Sequence, residues 1–84
     1  MDKLRNDVAE FATAMEQKLR FHDDVRGDTY KCMTDKELLE RLKEELEEVE
    51  NNDYFRPPET IMDELIDVAN FAMMLYSNMG RRIK

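Results

Sequence analysis

The sequence contains very little that cross-links a chain or anchors it to a membrane. Cys32 is the single cysteine, which excludes a disulfide within the chain and suits a reducing compartment. Residues 1–7 lack the apolar core of a signal peptide, and no stretch approaches the roughly 20 apolar residues of a membrane-spanning helix. We therefore expect a cytoplasmic protein that forms one domain over residues 1–84.

Basic residues are also scarce relative to acidic ones. Nine acids lie within residues 35–53, and residues 57–80 hold four acids and no base. In total, 13 lysines and arginines face 20 aspartates and glutamates, so the formal net charge is −7. Binding to a nucleic-acid backbone or to an anionic membrane surface requires an excess of bases. The composition therefore argues against both as partners.

Two glycines and two prolines divide the chain into segments whose apolar residues recur every three or four positions. The predicted helices span residues 3–25, 35–52 and 57–78. Thr34 and Glu37 form a capping box for the second helix, and Gly80 is predicted to end the third. No strand pattern is present. The expected fold is all-α, with three helices of which the second and third form an antiparallel hairpin.

The chain is short for a stable monomer. A chain of 84 residues buries only about 60–65% of the surface that its unfolded form exposes. The third helix is apolar over a wider arc than two neighbouring helices need. We therefore expect a homodimer or homotetramer, an oligomeric helical bundle with the third helix at its centre.

Four carboxylates are predicted to converge on one patch. Glu45 and Glu48 lie three residues apart on the second helix, as Glu64 and Asp67 do on the third, and such pairs share a helix face. In an antiparallel hairpin with Arg56 at its midpoint, Glu45 is level with Asp67, and Glu48 is level with Glu64. The four side chains then meet about two turns from the helix ends.

The residues alone leave two interpretations of this patch open. One is a solvated charged face, stabilised by pairs such as Glu45 with Arg41. However, Glu48, Glu64 and Asp67 have no base three or four positions away, and like charges at this spacing repel by roughly 0.2–0.5 kcal/mol per pair. The other interpretation is a metal centre, since carboxylate oxygens in this number suit Mg²⁺ or Mn²⁺.

The acidic motifs also follow a recognisable spacing. LKEELEEVE (42–50) contains E-E-x-x-E, and DELIDVANFAMML (63–75) contains E-x-x-D some 15 residues later. Together with MEQKLRFHDDVRG (15–27), these segments resemble the MazG-like nucleotide pyrophosphohydrolases of the all-α NTP pyrophosphatase superfamily. The resemblance covers most of the chain. It implies a Mg²⁺-dependent hydrolase that cleaves an NTP or dNTP into the monophosphate and pyrophosphate.

The resemblance also implies roles for individual residues. The implied metal ligands are Glu45, Glu48, Glu64 and Asp67. The candidate general bases that activate water are Glu44 and Glu48. The resemblance also places Asn70 at a position that binds the nucleotide and Tyr30 at the family's aromatic position. Lys18 and Arg26 are candidate phosphate ligands from their charge and their place on or just after the first helix, and Lys18 also falls in a family-like K-L pair. A divalent metal is part of this interpretation, because an acidic patch alone cannot hold a triphosphate.

Two other functions remain as alternatives. The first is a phosphoribosyl-ATP pyrophosphohydrolase of the same superfamily, although the segment after Asp67 lacks the histidine pattern of that branch. The second is a non-enzymatic helical interaction module whose acidic face binds a basic protein.

Overall fold

A computed structural model describes residues 3–22, 28–51 and 56–83 and shows a helical chain. Three α-helices and one short 3₁₀ helix follow in order: α1 (Asn6–His22), η1 (Thr29–Cys32), α2 (Asp35–Glu50) and α3 (Pro58–Arg82). The described residues contain no strand, so the prediction of an all-α fold with three helices is confirmed for them. None of the described helices is both long and apolar enough to cross a membrane.

The N-termini of α2 and α3 lie where the sequence predicts them. Thr34 Oγ1 accepts a hydrogen bond from the Glu37 backbone amide at 3.1 Å and donates one to Glu37 Oε1 at 3.1 Å. This cap satisfies an amide that the first helical turn leaves without a partner. Pro58 is the first residue of α3, where its missing N–H costs no helical hydrogen bond.

Two other helix boundaries lie inside the predicted ranges. α1 begins at Asn6 rather than at residue 3, and its predicted end at residue 25 falls outside the described residues. α2 ends at Glu50, and Asn51 is its C-cap, whose amide donates to carbonyls of the last turn. The predicted range therefore extends slightly beyond the helix.

The prediction that Gly80 ends α3 is wrong, because the helix continues to Arg82. Arg81 donates a hydrogen bond to Asn78 Oδ1, and Arg82 pairs with Asp35 at the start of α2. Cations in the last turn also interact favourably with the negative end of the helix dipole. These contacts hold a final turn that the local sequence does not favour.

α3 is the centre of the described structure, because α1, η1 and α2 each pack against it. Two buried asparagines on α3 bind the backbone of its neighbours. Asn70 Nδ2 donates to the Met15 carbonyl of α1 at 3.3 Å, and Asn78 Nδ2 donates to the Tyr30 carbonyl of η1 at 2.8 Å. These amides hold α1 and η1 on α3.

The apolar core is small. Leu38 on α2 is the one large apolar side chain that is fully buried among the described residues, and α1 contributes no buried residue. The radius of gyration is 14.1 Å, against about 12 Å for a globular chain of this length. The large apolar side chains that remain exposed are Leu4, Val8, Phe11, Phe21, Leu39, Leu46, Met62, Leu65, Tyr76, Met79 and Ile83. Such surface is typical of chains that associate.

Candidate metal centre

Glu45 lies among other carboxylates between α2 and α3, with only 12% of its side chain exposed. Burial raises the pKa of Glu45, and the negative charges of Glu48 and Asp67 raise it further, while Arg41 acts in the opposite direction. Arg41 Nη2 lies 3.6 Å from Glu45 Oε1, which is too far for a strong hydrogen bond. The carboxylates of Glu45, Glu48 and Asp67 therefore repel one another here, and the single arginine does not offset this repulsion.

Glu64 on α3 has one oxygen that is paired and one that is not. The residue is 9% exposed. Arg56 Nη2 donates a hydrogen bond to Glu64 Oε1, whereas Glu64 Oε2 is buried and has no hydrogen-bond partner among the described residues. A buried carboxylate oxygen without a partner is costly. The Oε2 atom therefore marks a position that a cation would satisfy.

Asp67 on α3 pairs with a base from α1. Lys18 Nζ lies 2.9 Å from Asp67 Oδ2 and 3.0 Å from Asp63 Oδ2, and it donates to the Asp63 carbonyl at 3.1 Å. Burial lowers the pKa of Lys18, but hydrogen bonds to Asp67 and Asp63 outweigh it, and the net shift is upward. The lysine is therefore charged and held against the acids of α3.

A cavity of about 650 Å³ adjoins these acids. Its lining residues are Glu44, Glu47, Glu48, Asn51, Arg56 and Glu64. Glu48 and Glu64 thus face the same space, and Glu45 is close enough to Asp67 for their charges to repel. The same two pairs, Glu45 with Asp67 and Glu48 with Glu64, are the ones that the sequence places at equal heights in an antiparallel hairpin.

Glu44 and Asn70 lie at the edges of this cluster. Glu44 is 59% exposed and pairs with Arg41, whose Nη1 is 3.1 Å from Glu44 Oε2. Asn70 is buried one turn after Asp67, and its Oδ1 has no hydrogen-bond partner among the described residues. Glu44 therefore keeps the solvent access that a general base for water needs, and Asn70 keeps one free acceptor.

Tyr30 lies away from the carboxylates, near the C-terminal part of α3. The Tyr30 carbonyl binds Asn78, and the Arg81 guanidinium lies 5.7 Å from the centre of the Tyr30 ring. Asn78 is 11 residues beyond Asp67, which is about 16 Å along a helix. Arg26 lies outside the described residues.

Sequence reasoning missed two residues of this cluster. Arg56, which served only as the midpoint of the turn, binds Glu64 from eight residues away, and Asp63 shares Lys18 with Asp67. A search for bases three or four positions away on the same helix cannot find such partners. The signal for Arg56 was its place just before the first turn of α3, close to that helix's acids.

The environment of Glu45 makes a prediction about pH. Because its pKa is raised on folding, the folded chain binds more protons than the unfolded chain between the two pKa values, and stability falls as pH rises through that window. Without metal, Glu45→Gln is expected to be more stable than the wild type at pH 7, and this advantage shrinks towards pH 4. Urea unfolding of both proteins at pH 7 and at pH 4, with a chelator present, measures this difference in stability. Glu40→Gln, at an exposed position of α2, is the control, and an equal gain there would contradict the account.

The donor set fits a hard divalent cation in its chemistry. Every candidate ligand is a carboxylate oxygen, and Glu64 Oε2 has no partner in the described part of the chain. Among residues 3–22, 28–51 and 56–83, no group of three or more His, Cys, Asp or Glu side chains is already close enough to hold a metal ion. Lys18 and Arg56 instead pair with Asp67 and Glu64. Metal binding therefore requires these acids to exchange a basic side chain for the ion.

The chain matches no family model, and no curated protein and no solved structure is significantly similar to it.

Proposed function

We propose that the protein is a Mg²⁺-dependent nucleoside triphosphate pyrophosphohydrolase, which converts an NTP or dNTP into the monophosphate and pyrophosphate. The observation that carries this proposal is the convergence of carboxylates from two helices. Glu45 interacts with Glu48 and Asp67. Glu64, which lines the adjoining cavity, keeps a buried oxygen that has no partner among the described residues. The resemblance of the acidic motifs to MazG-like enzymes favours the same activity.

The contacts between α2 and α3 support an antiparallel hairpin, which this proposal needs. At the start of α2, Asp35 pairs with Arg82 at the end of α3. Ten residues later on α2, Glu45 interacts with Asp67, which lies fifteen residues earlier on α3. The partner on α3 thus moves backwards as the chain advances along α2, as in an antiparallel pair.

The proposed division of labour follows from position. Glu45, Glu48, Glu64 and Asp67 are the proposed ligands of Mg²⁺ or Mn²⁺. When bound, the ion offsets the charge of the triphosphate and polarises its phosphoryl oxygens. Glu44 or Glu48 takes a proton from the water that attacks the α-phosphorus, and the α–β phosphoanhydride bond breaks with pyrophosphate as the leaving group. Two of the acids that line the cavity, Glu44 and Glu64, pair with an arginine. The side chain of Glu44 is the more exposed of the two.

Substrate binding is assigned to residues at the edge of the acid cluster. Lys18, charged and already within 3.0 Å of two aspartates, is the proposed phosphate ligand on α1. Arg26 is a second phosphate ligand by sequence position, and the free Oδ1 of Asn70 is a hydrogen-bond acceptor for the nucleotide. Tyr30 is less favoured as an aromatic contact, because its carbonyl is held near Asn78, far along α3.

We also propose that the active protein is a homodimer or homotetramer. The single fully buried leucine among the described residues is a small core for three helices. Exposed apolar side chains on α1 and α3, such as Phe11 and Leu65, are candidates for the contact between copies. Sedimentation at micromolar concentration tests this, and a compact monomer would contradict it.

Thermal melting with and without metal tests the metal centre. Binding that favours the folded chain raises stability by about 1.4 kcal/mol when free metal is ten times its Kd, or roughly 5–10 °C for a domain of this size. We expect this rise with Mg²⁺ or Mn²⁺ in the wild type and its absence in Glu64→Gln. An unchanged melting temperature at millimolar metal, with or without nucleotide, would contradict the proposal.

One observation favours the non-enzymatic alternative. Lys18 and Arg56 already pair with Asp67 and Glu64, so these two acids have counter-ions within the chain. An acidic helical module that binds a basic protein needs no metal. The melting experiment separates the two functions, because the module predicts no stabilisation by divalent ions.

A further inference from the structure

A second cavity, of about 530 Å³, lies between α1 and α3. Its lining residues are Ala14, Gln17, Lys18, Phe21, His22 and Asp63. Lys18 and Asp63 belong both to this cavity and to the ion-pair cluster around Asp67. Lys18, the proposed phosphate ligand, therefore lines this cavity and also contacts Asp67, one of the proposed metal ligands.

The α1 side of this cavity carries an exposed aromatic ring. The Phe21 side chain is 81% exposed. The His22 ring lies edge-on to it, with centroids 5.2 Å apart and planes at 87°. An edge-on neighbour leaves a face of the phenyl ring free for another flat ring. Gln17, one turn earlier on α1, brings an amide with both a hydrogen-bond donor and an acceptor to the same cavity.

We propose that this cavity binds the nucleobase of the substrate, with the ring of Phe21 as the stacking platform. The inference rests on the proposed function and adds to it where the base lies. Phe21 follows Lys18 by three residues, so the two side chains are neighbours on one face of α1. A nucleotide whose phosphates reach Lys18 and the metal centre can thus place its base on Phe21. Every base has a π face, so the platform accepts purines and pyrimidines.

The experiment separates the base from the phosphates. Isothermal titration with Mg²⁺ present compares a non-hydrolysable α,β-methylene nucleoside triphosphate with inorganic tripolyphosphate, which has no base. The wild type is expected to bind the nucleotide analogue more tightly. Phe21→Ala is expected to weaken binding of the analogue by about 5–100-fold, the range typical of one base–aromatic stack. It is expected to weaken binding of tripolyphosphate by less than about twofold.

Two control variants accompany this comparison. Phe21→Tyr keeps an aromatic platform and is expected to retain the wild-type preference for the analogue. Tyr76→Ala removes an exposed ring of α3 that does not line the cavity, and it is expected to change neither affinity.

The remaining outcomes overturn the inference in distinguishable ways. If Phe21→Ala weakens both ligands equally, or neither, the cavity does not hold the base. If Phe21→Ala instead shifts the sedimentation of the chain towards monomer and leaves both affinities unchanged, the exposed ring is covered by a second copy of the chain. If the wild type binds neither ligand, the proposed function itself fails.

Discussion

Asp67→Asn is expected to lower the rate of pyrophosphate release from an NTP by at least about 100-fold. Loss of a residue that only supports a metal ligand typically costs 10–100-fold, and loss of a ligand itself costs more. Asp67 is close enough to Glu45 for their charges to repel, and its Oδ2 lies 2.9 Å from Lys18 Nζ. Glu64→Gln is expected to have a similar effect, because it neutralises the carboxylate whose second oxygen finds no partner within the residues that the structure describes.

Asp63→Asn is the matched control for this prediction. Asp63 pairs with the same lysine at 3.0 Å, but its side chain is 65% exposed and it is not among the proposed metal ligands. We expect Asp63→Asn to release pyrophosphate at a rate within severalfold of the wild type. Coupled-enzyme detection of pyrophosphate measures the rates of Asp67→Asn, Glu64→Gln and Asp63→Asn. Equal losses in Asp63→Asn and Asp67→Asn would show that the ion pairs with Lys18, rather than metal ligation, explain the effect. Full activity in Asp67→Asn would contradict the assignment of Asp67 as a metal ligand.

Leu38→Ala is expected to lower the free energy of unfolding by about 2–5 kcal/mol. Leu38 has no exposed surface and is the one large apolar side chain fully buried in the described part of the chain. The small size of the core leaves few other contacts to compensate for its loss. For a domain of this length the change corresponds to a fall in melting temperature of roughly 10–40 °C.

Leu39→Ala removes the same number of atoms from the adjacent residue and is the matched control. Leu39 is 42% exposed, so we expect its effect to be within about 1 kcal/mol. Circular dichroism melts at one protein concentration compare the two variants. A loss at Leu39 as large as that at Leu38 would contradict this account of the core. It would place Leu39 in a contact between copies of the chain.

The features that could be predicted from the sequence are those set by neighbouring residues. Thr34 caps α2 as predicted, because its side chain accepts from the Glu37 amide three positions later, and Glu37 binds back to the Thr34 hydroxyl rather than to its backbone amide. Pro58 begins α3 for an equally local reason. The pairing of acids at intervals of three residues likewise follows from the geometry of a single helix.

The features that the sequence did not predict depend on distant parts of the chain. Gly80 looks like a helix end, but Arg82 is held by Asp35, which lies 47 residues earlier. The counter-ion of Asp67 comes from α1, and that of Glu64 comes from Arg56, before the start of α3. No local pattern encodes the pair of Arg82 with Asp35 or that of Lys18 with Asp67, because both form only once the helices have packed together. Arg56 is nearer in sequence, but it lies outside the spacing of three or four residues that pairs bases with acids on one helix.

The most direct test of the central claim is the release of pyrophosphate by the purified protein from a panel of NTPs and dNTPs. The account predicts that at least one nucleotide yields monophosphate and pyrophosphate in equal amounts, that release requires Mg²⁺ or Mn²⁺, and that chelator stops it. Folded protein that releases no pyrophosphate from any nucleotide at millimolar Mg²⁺, or that releases only inorganic phosphate, would contradict it.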